Sequence, residues 1–147
     1  MKVKTLLTTL LALFMFTGAA MAEGKWYTDW DAAAKAAKSS NKPILMDFTG
    51  SDWCGWCIRL KDEVFSTPEF QKWADKNVVL LEVDFPRQKK QSDAEKKKNQ
   101  ALAEKYSIEG FPTIIFAKPD GTAVGKYGYD EGGPANWTKK AEAMLKK

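Results

Sequence analysis

The sequence predicts an α/β fold with a central mixed β-sheet flanked by helices. Two observations carry that prediction. Short apolar runs suited to buried strands alternate with segments of helical periodicity, an order that calls for crossover connections and parallel strands. Near the end, two strand-like runs are separated only by the turn "PDGT" (residues 119–122), which adds an antiparallel hairpin. The chain has no internal repeat and no linker long enough to divide it, so one domain is expected.

A helix is expected over "TDWDAAAKAAKSSNKP" (residues 28–43), after a short exposed lead. Thr28 stands where it can cap the start, with Asp31 three positions on as its capping-box partner. Trp30, Ala33, Ala34 and Ala37 recur at helical spacing, and Asn41 and Pro43 end the pattern. "ILMDFT" (44–49) reads as a buried strand, with Asp47 as its one exception. "CGWCIRLKDEVF" (54–65) follows as a helix with Ile58, Leu60, Val64 and Phe65 as its apolar contacts. Thr67 as N-cap and Pro68 at the first helical position start another helix, which turns Phe70 and Trp73 inward and stops near Asn77.

"VVLLEVDF" (78–85) is the second strand. The stretch "PRQKKQSDAEKKKN" (86–99) then holds six basic and two acidic residues and almost nothing apolar. It reads as a solvated loop leading into an exposed helical turn, with a docking surface for an acidic partner as the sharper alternative. Helical pattern resumes at Leu102, Ala103 and Tyr106. "TIIFAK" (113–118) and "AVGKYGY" (123–129) form the hairpin. Gly133 and Pro134 open a last helix with Trp137, Ala141 and Leu145 on one face.

The first 22 residues stand apart. "MKVK" is a short basic start, "LLTTLLALFMFTGAA" is apolar, and Ala20 and Ala22 place small residues just before Glu23. This is the pattern of a cleaved secretory signal peptide, which implies export to the bacterial periplasm or an equivalent space. An uncleaved membrane anchor is the alternative, although the apolar run is short for a span of about 20 residues. Cleavage would leave residues 23–147, long enough to bury a core without disulfide stapling. Loss of Lys2 and Lys4 would lower the net charge from +4 to +2. Nothing in that balance calls for nucleic acid or an anionic membrane as a partner.

Cys54 and Cys57 are the only cysteines in the chain. As a structural staple they would close a very small loop and remove little chain entropy. As zinc ligands they lack company, because the chain has no histidine and no second cysteine pair. The same shortage argues against an iron–sulfur cluster, and no metal or other cofactor is expected. Cys54 lies where a strand and short loop run into a helix, so unpaired N–H groups and the helix dipole favour its thiolate. Cys57 is one turn along on the same face. Such a dithiol can form a mixed disulfide through Cys54, which Cys57 then resolves.

"ILMDFTGSDWCGWC", followed about fifty residues later by "GFPT", resembles the thioredoxin superfamily, and more narrowly its exported bacterial members. The resemblance implies a thioredoxin fold and thiol–disulfide exchange. It makes Cys54 the nucleophile, Cys57 the resolving thiol and Trp53 the aromatic flanking the disulfide. It makes Pro112 the cis-proline against the active site, and Phe111 the residue whose backbone meets an extended substrate. Asp47 matches the family's buried acid. The physical case for it is separate: an acid within an apolar strand is costly without a role or a partner, and burial should raise its pKa so that it can exchange a proton with Cys57. Asp47 stands seven positions before Cys54, one more than in ordinary thioredoxin, a spacing that could displace the acid or the loop.

The residues between the cysteines, Gly55 and Trp56, also depart from the family. Thioredoxin has Gly-Pro there, and the isomerases and strong oxidants carry a His. The missing His points to a couple on the reducing side. Gly55 and Trp56 are expected on the substrate-binding surface. The resulting expectation is a monomeric, exported protein-disulfide reductase whose substrates are disulfide-containing exported proteins. It would be supplied with electrons by a membrane donor. The alternatives are a disulfide oxidase or isomerase, and a redox-inert module that binds clients.

Overall fold

The structure is a computed structural model that describes residues 24–146; the leader expected at residues 1–22 lies outside them. Five strands form one sheet in the order β1 (Trp26–Tyr27), β3 (Val79–Asp84), β2 (Ile44–Thr49), β4 (Thr113–Ala117), β5 (Ala123–Tyr127). β3 runs parallel to both β1 and β2, whereas β4 is antiparallel to β2 and to β5. The sheet is therefore mixed, as expected, with the crossovers made by α1 (Trp30–Ser40), α2 (Gly55–Leu60), α3 (Pro68–Asn77) and α4 (Asp93–Lys105), and α5 (Gly133–Leu145) closing the chain.

Side chains on β2 alternate between two buried layers, which is why the strand reads as continuously apolar. Leu45 faces Leu60, Val64, Phe70 and Trp137, contributed by α2, the turn that follows it, α3 and α5. Ile44, Met46 and Phe48 face Ala33 and Ala37 of α1 and the apolar side of α4. Trp137 is the hub of the first layer. It is fully buried, its ring lies 5.3 Å from Phe65 and 5.2 Å from Tyr127, and its indole N–H donates to the Gly128 carbonyl at 2.9 Å.

Strand polarity assembles one functional edge. β2 and β3 both end there. Because β4 is antiparallel, its first residue, Thr113, pairs with Phe48 near the end of β2. The loops at 50–54, 85–92 and 107–112 thus meet at the same edge. At the other edge, β1 pairs with the opening half of β3, Trp26 opposite Leu80 and Tyr27 opposite Leu81. Leu145 at the end of α5 borders a cleft with Lys42, Pro43 and Lys118, where β2 begins.

Four local expectations need correction. α1 is capped by Asp29, whose carboxylate accepts from the Ala32 N–H at 3.1 Å, and not by Thr28; Asp29 has the extended backbone of a cap and an ionised acceptor, the stronger of the two. The lead before α1 is not exposed throughout, since the half-buried Trp26 and Tyr27 extend the sheet as β1. The basic run reaches helix early: Ser92 caps α4, which starts at Asp93. The segment after the cysteines is α-helical only to Leu60 and continues as a π-helical turn over Lys61–Phe65. Within that segment Leu60, Val64 and Phe65 are buried, but Ile58 is 41% exposed.

Candidate active site

Cys54 and Cys57 are joined by a disulfide with their Cα atoms 5.2 Å apart. Cys54 is the N-cap of α2, and its Sγ accepts from the Cys57 N–H at 3.3 Å. Its own N–H donates to the Gly50 carbonyl at 2.9 Å, as the Trp53 N–H does at 3.2 Å, so the loop closes as a tight turn onto the helix. In the dithiol form the Cys57 N–H and the positive end of the helix would stabilise a Cys54 thiolate. Both cysteines are largely buried, at 7% and 5% exposure.

Asp47 lies on the sheet face covered by α2, by the same two-residue alternation that places Leu45 there. The unusual spacing to Cys54 has not moved it into solvent. It is 8% exposed, and its Oδ1 has no hydrogen-bond partner among the described residues. It lines a cavity of about 370 Å³ with Lys61, Phe65 and Glu82. Glu82 is its register partner on β3. Loss of hydration, and then the neighbouring Glu82 and Asp84 carboxylates, push the Asp47 pKa up to about 8; Lys61 opposes them. Cys57 lies one turn before Lys61 on the same helical segment, so the disulfide stands one helical turn from a residue that lines the cavity. This places a buried carboxyl group, mostly protonated at neutral pH, on the sheet face that the cysteine-bearing helix covers.

Trp53 is fixed by three contacts. Its indole N–H donates to the Phe85 carbonyl at 2.8 Å, its ring meets Phe111 edge-on at 6.0 Å, and the Arg87 guanidinium lies 3.7 Å from its centroid. Gly50 has no room for a side chain, because a Cβ there would overlap the same indole. The Phe111–Pro112 peptide bond is cis. A Cβ at Gly55 would meet nothing within 4 Å, so the surface beside the disulfide is open at that point. Trp56 is 55% exposed and leans on Tyr129 at 5.2 Å, with the Arg59 guanidinium 5.4 Å from each ring. Glu63 accepts from both Arg59 and the Tyr129 hydroxyl.

The structure thus gathers the expected residues Asp47, Trp53, Cys54, Gly55, Trp56, Cys57, Phe111 and Pro112 around one edge of the sheet. It also adds Asp52, Arg87 and Tyr129, which sequence reasoning did not single out. Arg87 had one available signal: it lies just past the carboxyl end of a parallel strand, where sites on α/β sheets collect. Tyr129 is remote from the cysteines in sequence and carries no motif.

Residues 30–140 match the family model described as a thioredoxin-like domain. The disulfide bond reductase DsbH of Chlamydia pneumoniae is 37% identical over 120 residues, 80% of this chain and 72% of that protein. The thioredoxin-related protein DsbJ of the same organism is 31% identical over 140 residues, 89% of this chain but only 40% of its own length. A solved structure of a DsbH oxidoreductase superposes with a TM-score of 0.82 at 32% identity, covering 99% of this chain and 95% of that one. With its sheet order, its Cys54–Cys57 pair at a helix start and these relatives, the chain belongs to the thioredoxin-like family of thiol–disulfide oxidoreductases.

Proposed function

We propose that the protein is an exported reductase of protein disulfides. In the reduced form the Cys54 thiolate attacks one sulfur of a substrate disulfide, and the other sulfur leaves and takes up a proton. Asp47, whose raised pKa leaves a minor carboxylate fraction at neutral pH, then accepts the Cys57 proton in that form. The Cys57 thiolate attacks Cys54 Sγ, the second substrate sulfur leaves, and the protein is left with the Cys54–Cys57 disulfide. Two electrons have passed to the substrate, and a membrane donor must return them. Trp53, Gly55 and Trp56 line the approach, and the cis Phe111–Pro112 segment offers backbone groups to an extended substrate.

The observation that carries this reading is the Cys54–Cys57 disulfide at a helix start, with the Asp47 carboxyl, its pKa raised by burial, on the sheet face that this helix covers. The direction draws support from the absence of a His between the cysteines and from the name of the Chlamydia relative. Export rests on residues 1–22 read as a cleaved signal peptide, and the working form is taken to be a monomer. The test is the reduction potential of the couple, by equilibration with glutathione buffers and thiol trapping. About −250 mV or lower is expected, whereas about −120 to −180 mV would overturn the reductase reading in favour of an oxidase or isomerase.

A further inference from the structure

The loop that opens the basic run at 86–99 is exposed, as expected, but its backbone is tethered. The Asp52 carboxylate, two residues before Cys54, accepts three consecutive backbone N–H groups of that run, from Arg87 at 2.9 Å and from Gln88 and Lys89 at 2.8 Å each. The Lys89 ammonium donates to the Ser51 hydroxyl at 3.0 Å, and Arg87 stacks on Trp53. Hydrogen bonds to an ionised acceptor are the strong kind. The site loop therefore holds the charged loop at a set position beside the disulfide, which mere solubility would not require.

The cations held there are unspent. Among the described residues, Arg87, Lys89, Lys90 and Lys97 have no carboxylate in ion-pair range, and Lys96 reaches only Asp93, at 3.7 Å. Two acids beside the loop are engaged by the protein itself, Asp52 by the three amides and Asp84 by the N–H and hydroxyl of Ser51, while Asp93 and Glu95 stand in the first turn of α4. Across the site, the one cation beside Trp56 is matched, since Arg59 pairs with Glu63 at 2.6 Å. The positive charge is thus one-sided.

A cleft of about 460 Å³ runs along that side, with Phe85 and Pro86 as its apolar lining and Lys96 and Lys97 from α4. Phe85 stacks on Phe111 at 5.1 Å, and Phe111 precedes the cis-proline, so the cleft is continuous with the flank of the redox site. Resting on the thiol-exchange reading above, we infer that this cleft and the clamped basic loop form a docking surface for an acidic segment of the protein whose disulfide is exchanged. A protein chain is the occupant because the adjoining group is a disulfide, which exchanges with protein sulfur. An acidic one is favoured because the surface offers several unpaired cations along an apolar lining.

The test uses the full chain with Cys57→Ser, so that Cys54 can attack but nothing resolves. Two peptides carry a single cysteine disulfide-bonded to 5-thio-2-nitrobenzoate, flanked on both sides by Glu in one and by Gln in the other. The Cys54 thiolate bonds to the peptide sulfur and the coloured thiolate leaves, which gives the rate directly. The Glu peptide is expected to react about tenfold faster at low salt, the scale of electrostatic steering. That advantage should vanish at high ionic strength and on adding Lys90→Gln and Lys97→Gln, while the Gln-peptide rate stays the same. Equal rates for the two peptides, or an advantage that survives both substitutions, would overturn the docking surface. No release from either peptide would sink the thiol-exchange reading itself, and this inference with it.

Discussion

Replacing Asp47 with Asn should make the protein more stable at neutral pH, by an amount that depends on pH in a defined way. The acid is raised from 3.8 to about 8 in the folded state. Between those values the folded protein binds one proton more than the unfolded chain. Stability therefore falls as pH rises, by about 1.4 kcal/mol per pH unit from this group. The favourable condition is fully present only below the unfolded pKa and is gone once pH passes the folded one. From pH 4 to pH 7 the loss is about 4 kcal/mol, a large part of the roughly 5–15 kcal/mol that holds a domain of this size together. Asn keeps the size and polarity but cannot titrate. Glu82, also raised by burial and by Asp84, contributes the same sign in both proteins and cancels in the comparison. The assay is urea unfolding of the oxidised protein and the variant at pH 4, 5.5, 7 and 8.5. The gap between them should widen by about 4 kcal/mol from pH 4 to pH 7 and level off above pH 8. Two parallel stability curves would show that Asp47 is ionised in the fold, and the proton role assigned to it would fail.

Three further outcomes follow from the geometry. Gly50→Ala should displace the Trp53 indole that its Cβ would overlap, costing about 1–3 kcal/mol and slowing disulfide exchange; unchanged stability and rate would contradict the packing. Asp29→Ala should cost about 1 kcal/mol by uncapping α1, read as a lower melting temperature, whereas Thr28→Ala should leave melting unchanged. Trp56→Ala should alter stability by no more than about 0.5 kcal/mol, since the ring is half exposed. It should weaken reduction of a protein disulfide while sparing a small aliphatic one, and an equal loss on both would remove Trp56 from the substrate surface.

The sheet and its polarity were legible because the information is local. β2, β3 and β4 are mostly apolar runs bounded by Pro, Gly or charge, and the "PDGT" turn announces β5 as the hairpin partner of β4. β1 was not legible, since two residues have no periodicity and become a strand only by pairing with Leu80 and Leu81. The exposure of Ile58 was hidden because apolarity alone does not say which way a helix face turns. At the site, Cys54, Cys57 and Asp47 announce themselves by type and place. Asp52 and Arg87 do not: each is an ordinary charged residue on a loop, and its significance is a contact across 35 positions of chain. Tyr129 becomes part of the site through the Trp56 ring and through Glu63, 66 positions away.

The placement of β1 and α5 has a practical consequence. The described chain enters along the opening half of β3 and finishes beside the start of β2, whereas the cysteines sit past the opposite ends of those strands. Anything joined after α5, whether a second polypeptide, an affinity handle or a solid support, would therefore hang from the edge opposite the cysteines and leave the sulfur-bearing edge facing outward.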